Sequence, residues 1–169
     1  MDEEYDYRNC QSLFGYAYAV HQKSGCVCQL CGSGGTQQSF DWWRQLTVEH
    51  IIGRKQGGYL KEIKQLISEL LPELDATEQE ELARKIHDEN TVTACSFCNS
   101  TTSRSKTDSM RYLVVSAISE NRQPAAIAER IHTELQKILD KKRKDVAWKI
   151  ISIKKQYEKH FLPSLPNAN

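Results

Sequence analysis

No apolar run in this chain of 169 residues approaches the roughly 18 that a membrane-spanning helix needs. The opening residues, MDEEYDYRN, are acidic and polar and lack the basic start and apolar stretch of a secretory signal. Neither an internal repeat nor a long low-complexity tract is present, which argues against a solenoid. No membrane association and a cytoplasmic location are therefore expected. With 39% apolar residues the chain can bury one real core, so a single compact domain with appendages is expected and not a mini-protein dependent on staples.

An excess of either charge sign is also missing, since 23 Lys+Arg against 22 Asp+Glu leave a net charge of +1. That balance conceals an asymmetry. Residues 1–90 carry 9 basic against 15 acidic side chains, a balance of −6, and residues 91–169 carry 14 against 7, a balance of +7. A basic half joined to an acidic one suits contact with a polyanion, although charges scattered over a solvated surface would give the same sums. Cysteine, by contrast, is plentiful. Six in a chain expected to meet a reducing compartment do not read as a disulfide framework, and their C-x-x-C pairing points to metal.

The residue pattern predicts an α+β fold that is mostly helical. Apolar residues at 13, 14, 17, 18 and 20 suit a short helix within an N-terminal segment, 1–24. A Gly- and Cys-rich loop follows, and WWRQLTVEHII reads as strand from its aromatic and β-branched content. Residues 60–89 read as two short helices broken at Pro72, with Leu60, Ile63, Ile67 and Leu70 on one face of the first and a Thr77–Glu80 capping box opening the second. This pair is expected to be an insertion. Beyond it, stripes at 110–118, at 127–138 and at Val146, Ile150, Ile153, Tyr157 and Phe161 predict a helical C-terminal region, 109–169, with Pro124 near a helix start. Trp42, Trp43 and Trp148 are expected in packing roles.

The strongest chemical signal is Cys28-x-x-Cys31 with Cys95-x-x-Cys98. Four thiolates suit tetrahedral Zn²⁺, each pair forms a tight knuckle, and a closed Cys₄ shell marks a structural ion. Cys26 would compete with Cys28 only through a poorer C-x-C turn, and Cys10 reads as a buried or idle thiol. A second constellation lies around the pairs: Glu49-His50 at the end of an apolar strand, Asn90 just before TVTAC, and Asn99 directly after Cys98. The whole pattern of C-x-x-C, then EH followed by IIGRKQGG, then N-x-x-x-x-C-x-x-C-N, resembles the HNH (ββα-metal) endonucleases, including the zinc-containing phage junction resolvases and several restriction and homing enzymes.

The resemblance spans roughly residues 25–106 and implies a zinc-stapled ββα-metal nuclease core, 25–108, whose hairpin loop carries the helical insert and which continues into a C-terminal helical extension. It implies roles as well: His50 as general base, Glu49 and Asn99 as ligands of a catalytic Mg²⁺ or Mn²⁺, Asn90 as the residue tying the two strands together, and the four cysteines on the zinc. Glu49 stands where Asp is commoner, Gly53 where Pro is common, and Asn99 in place of a last His. The chemistry suits these residue types, because phosphodiester hydrolysis needs an activated water, charge neutralisation on phosphate and stabilisation of the leaving oxygen. Arg54 and Lys55 beside His50, with Arg104 and Lys106 beyond Asn99, would contact phosphates. The lysine-rich run at 141–144 and Lys149, Lys154, Lys155 and Lys159 would extend the footprint or simply form a solvated face. The expected partner is DNA, with a homodimer as the form that cuts both strands and a restriction or mobile-element enzyme as the setting. A noncatalytic zinc module that recognises nucleic acid or protein, and a nuclease acting on RNA, are the alternative readings.

Overall fold

The computed structural model describes residues 16–35, 39–102 and 109–165. It is mostly helical, with one small antiparallel sheet. Strand β1 (Leu46–His50) pairs with β2 (Thr91–Cys95), so that Leu46 faces Cys95, Glu49 faces Val92 and His50 faces Thr91. The long stretch between the strands forms two helices, α3 (Leu60–Leu70) and α4 (Ala76–Glu89). Short helix α5 (Ser96–Thr101) leaves β2 directly, with Cys95 as its N-cap. Helix α1 (Tyr16–Lys23) lies against the sheet, α2 (Phe40–Trp43) is a single turn, and α6 (Met110–Glu120) and α7 (Pro124–Gln156) follow, α7 running on into a π-helical turn (Tyr157–Phe161) and a 3₁₀ turn (Leu162–Ser164).

Local chemistry explains most boundaries. α3 ends at Leu70 because Pro72 disfavours helical geometry in the residue before it, and Leu71 leaves helix at φ −129°, ψ 58°. α4 is opened by a capping box two residues earlier than expected. Asp75 accepts from the backbone N–H groups of Thr77 and Glu78, and Glu78 returns a bond to the Asp75 N–H, so Asp75 and Glu78 replace the expected Thr77 and Glu80. Trp42 and Trp43 lie in helical α2 and not in the strand, which begins only at Leu46: Ser39 caps the Trp42 N–H at 3.1 Å and turns the chain before the β-branched residues start. The helix expected within the N-terminal segment 1–24 is Tyr16–Lys23, residues 1–15 lying outside the described set.

The middle C-terminal stripe and the first three residues of the last, Val146, Ile150 and Ile153, belong to one helix. α7 runs for 33 residues, about 50 Å at 1.5 Å per residue, with Pro124 in its first turn. Its Ile127, Ile131, Leu135, Leu139 and Val146 join Ile63, Ile67, Leu82, Ile86, Met110 and Val114 in one buried cluster that also contains Cys28, Cys95 and Cys98. Beyond Val146 the helix outruns the body. Ile150 is half-buried, whereas Ile153, Tyr157 and Phe161 are exposed, and so is Trp148 at 67%. Ile153, Tyr157 and Phe161 do not pack as their spacing predicts, and Trp148 does not take the packing role expected of it. No helix among the described residues is long and apolar enough to cross a membrane.

Candidate metal centre and catalytic cleft

Two knuckles far apart in the sequence meet at one end of the sheet. The first is pinned to β2 by a 2.8 Å bond from the Gln29 N–H to the Thr93 carbonyl, and its turn closes through Gly32 at φ +75°, whose N–H donates to the Cys28 carbonyl at 2.8 Å. The second spans the junction of β2 and α5. Backbone N–H groups turn towards sulfur, Cys95 N–H to Cys28 Sγ at 3.3 Å and Cys98 N–H to Cys95 Sγ at 3.5 Å. All four sulfurs lie within 4.8 Å of one another, which forms a possible metal-binding site compatible with structural zinc. Cys26 is outside this group. It sits at φ +58°, and its carbonyl accepts from Trp42 Nε1 at 3.0 Å. Cys10 lies outside the described residues.

The thiols cannot all ionise without a cation. The Cys95 thiol, donating to Cys28 sulfur, holds Cys28 down to about 4, and Cys95 is pushed up in consequence. Burial pushes Cys98 up to about 12. Crowded sulfurs resist ionising together, and a bound dication would reverse that balance by favouring the thiolates.

Asn90 is fully buried at the head of β2. Its Oδ1 accepts from the Ile52 N–H at 2.8 Å, and its Nδ2 donates to the Ile52 carbonyl at 3.0 Å and to the Gly58 carbonyl at 2.8 Å. The Asn90 side chain therefore clamps the loop that follows β1, and its backbone carbonyl accepts from the Ile51 N–H at 2.9 Å. Gly58 is required at this junction because a Cβ there would stand 1.7 Å from the Ile52 carbonyl oxygen. The clamp shapes the wall of a cleft of about 570 Å³ lined by Val48, Glu49, His50, Arg54, Tyr59 and Asn99 among others. Glu49, His50 and Asn99 are thus brought to one cleft, and Asn90 is not among its lining residues.

His50 is 8% exposed and stacks on Tyr59, with ring centroids 4.1 Å apart and planes 24° from parallel. Behind it lies His87 of α4 at 5.6 Å, held below its ordinary value by burial against the opposing pull of Asp88. Asn99 is oriented through its nitrogen. Nδ2 donates to Thr47 Oγ1 at 2.9 Å, and Oδ1 makes no hydrogen bond among the described residues. Arg54 sits on the rim, 5.8 Å from the Tyr59 ring centroid and 3.9 Å from Glu62 Oε1, with Lys55 exposed beside it. Arg104 and Lys106 lie outside the described residues.

Lys142 is the site residue the sequence reading missed. It reaches from α7 to Glu49, where Nζ forms an ion pair with Oε1, and it lies 3.5 Å from the His50 carbonyl oxygen. Both partners are buried, at 7% and 3% exposure. The expected basic run is accordingly divided. Lys142 faces inward, Arg143 Nε donates to the Gln29 carbonyl at 2.8 Å, and Lys149 donates to the Thr101 carbonyl, so these three help hold the fold together. A signal was present: Leu135, Ile138, Leu139, Lys142 and Val146 keep helical spacing, which puts a lysine in the middle of an apolar stripe. Tyr59 carried no comparable signal beyond standing next to Gly57-Gly58. No protein-family model, no curated protein and no solved structure matches the chain.

Proposed function

We propose that this protein is a metal-dependent endonuclease that hydrolyses DNA phosphodiester bonds, with His50 as general base. The observation that carries the reading is the convergence of Glu49, His50 and Asn99 on one cleft, walled by the loop that Asn90 clamps. An imidazole is the side chain suited to taking a proton from water near neutral pH. Stacking on Tyr59 limits the ring to one plane, and a general base needs such a fixed direction. The donor set fits a hard divalent ion: a Glu49 carboxylate oxygen and the Asn99 Oδ1 are both oxygen ligands on the cleft wall, and two protein ligands leave room for phosphate and water. Such an ion, Mg²⁺ or Mn²⁺, would supply charge neutralisation at the phosphate and the leaving oxygen. Thr47, by accepting from Asn99 Nδ2, keeps the amide oxygen directed away from the strand. Arg54 and Lys55 on the rim would position the substrate backbone.

A second reading rests on the Lys142–Glu49 pair. A buried carboxylate already matched by a buried ammonium has its charge satisfied within the fold, as expected in a noncatalytic zinc module that recognises nucleic acid or protein.

The deciding experiment compares plasmid cleavage by the wild type with His50→Ala, His50→Gln, Glu49→Ala, Asn99→Ala and Asn90→Ala across a Mg²⁺ and Mn²⁺ titration, with circular dichroism to verify folding. Because the His50 ring is buried, the Gln variant guards against a packing defect in the Ala variant. Both His50 variants should lose on the order of 10²- to 10⁴-fold in rate with no response to added metal. Glu49→Ala and Asn99→Ala should recover in part at high Mn²⁺, and Asn90→Ala should mainly lower stability. A folded His50→Gln protein that cuts at the wild-type rate would remove His50 as the base, a folded wild type that cuts no plasmid at any metal concentration would place the noncatalytic module first, and cleavage confined to RNA would change the substrate.

A further inference from the structure

Of the basic residues that end the chain, Lys142, Arg143 and Lys149 are spent on internal contacts, and Lys154 lies 3.7 Å from Glu158. Four others are not. Lys141, Lys144, Lys155 and Lys159 are exposed and make no ion pair or hydrogen bond among the described residues. At about 100° per residue Lys141, Lys144 and Lys155 fall on one face of α7, together with Trp148 at 67% exposure and Ile151 at 58%, and Lys159 follows in the π-helical turn Tyr157–Phe161. The acidic residues of this stretch are engaged elsewhere, Asp140 with Arg143 at 2.8 Å and Asp145 with Lys149 at 2.7 Å. The result is a stripe about 21 Å long from Lys141 to Lys155 at 1.5 Å per residue, continued by Lys159, and the one further carboxylate beside it, Glu158, is 3.7 Å from Lys154.

The stripe does not look into the cleft. Lys142 points from α7 to Glu49, and the centre of the lysine face lies more than about 100° around the helix from Lys142. We propose that the outer face of α7 is a second nucleic-acid surface, turned away from the catalytic cleft, so that one chain holds two separate stretches of backbone at once. The chemistry favours a polyphosphate over an acidic protein. The lysines recur at intervals of 3, 11 and 4 residues with flexible heads and no shaped pocket, which suits a regular chain of phosphates. Trp148 stands among them where it can pack on sugar or base. The proposal rests on the nuclease reading for its choice of DNA as probe, but not on catalysis.

The test uses the full chain carrying His50→Gln, with and without Lys→Gln at positions 141, 144, 155 and 159, and two differently labelled 20-bp duplexes, one of them immobilised. The His50→Gln protein should bring the second duplex down with the first. The lysine variant should lose that co-capture, retain binding to the immobilised duplex, and show a slope of log K against log salt smaller by roughly 2 to 4. Sedimentation of both proteins separates a two-surface monomer from a dimer that bridges through its two clefts. Unchanged co-capture and slope in the lysine variant would overturn the proposal, as would self-association that disappears with the lysines, which would make the face an interface between copies. Lysine-dependent co-capture by a chain that, with His50 restored, cuts no plasmid would leave this surface standing and remove the nuclease reading.

Discussion

At the scale of single residues the decisive contact is between Glu49 and Lys142. A lone lysine on an apolar helix stripe, or a lone glutamate in a buried strand, would each carry a heavy desolvation cost, and each is tolerable here only because the other is present. The contact also bears on the proposed chemistry, because any divalent ion taken by Glu49 shares the carboxylate with an ammonium. Lys142→Met should therefore destabilise the fold by about 3 to 5 kcal/mol, since it strands a buried carboxylate, and the double change Glu49→Gln, Lys142→Met should restore part of that loss. Urea denaturation of the single and double variants measures both. A Lys142→Met protein as stable as the wild type would mean that Glu49 is neutral or solvated in the fold.

At the scale of elements, the hairpin and its knuckles depend on one another. The two-residue β-turns that usually close a hairpin are replaced here by α3 and α4, so the strands are joined through 40 intervening residues and gain little from local closure. Two devices compensate. Asn90 fastens the start of β2 to the loop leaving β1, and the cysteine cluster fastens the far end of β2 to the N-terminal knuckle. Purified protein should accordingly contain about one zinc per chain, and strong chelation or Cys95→Ser should abolish the cooperative thermal transition, because a structural site's binding energy is folding energy. Elemental analysis with differential scanning calorimetry tests this. A zinc-free protein that melts cooperatively at the same temperature would show that the four thiols only pack.

At the scale of the whole molecule, α7 is a central strut. α4 meets it where Glu89 binds His132 Nδ1 at 2.7 Å, the first knuckle meets it at Arg143, the sheet at Lys142 and α5 at Lys149. A chain ending at Ile118 would lose Ile127, Ile131, Leu135, Leu139 and Val146 from the core and leave Glu49 unpaired. Such a truncation should not yield a smaller nuclease with weakened DNA affinity. It should fail to fold, and a truncated protein with a sharp near-UV spectrum and a cooperative melt would contradict this. The basic residues of the +7 half are divided: Lys142, Arg143 and Lys149 are used inside the fold, Arg111 and Arg122 pair with Glu69 and Glu73, and Lys141, Lys144 and Lys155 lie on the outer face of α7.

What the sequence determined by itself was the chemistry that is local. Cys-x-x-C spacing defines a knuckle within four residues, Pro72 sets the end of α3 within a turn, and the apolar spacing of α3, α4, α6 and the first half of α7 follows from a 3.6-residue period. These readings matched because the interactions responsible act between neighbours in the chain. Only the tertiary structure decided which apolar stripes find a partner, and so Ile153, Tyr157 and Phe161, with core spacing like that of Ile131 and Leu135, stay in solvent where the helix outruns the body. It alone paired Glu49 with a lysine 93 residues away, set Tyr59 against His50, and divided one run of like charges between inside and outside. Such pairings depend on how an entire helix is placed against a sheet, and no short window of sequence carries that information.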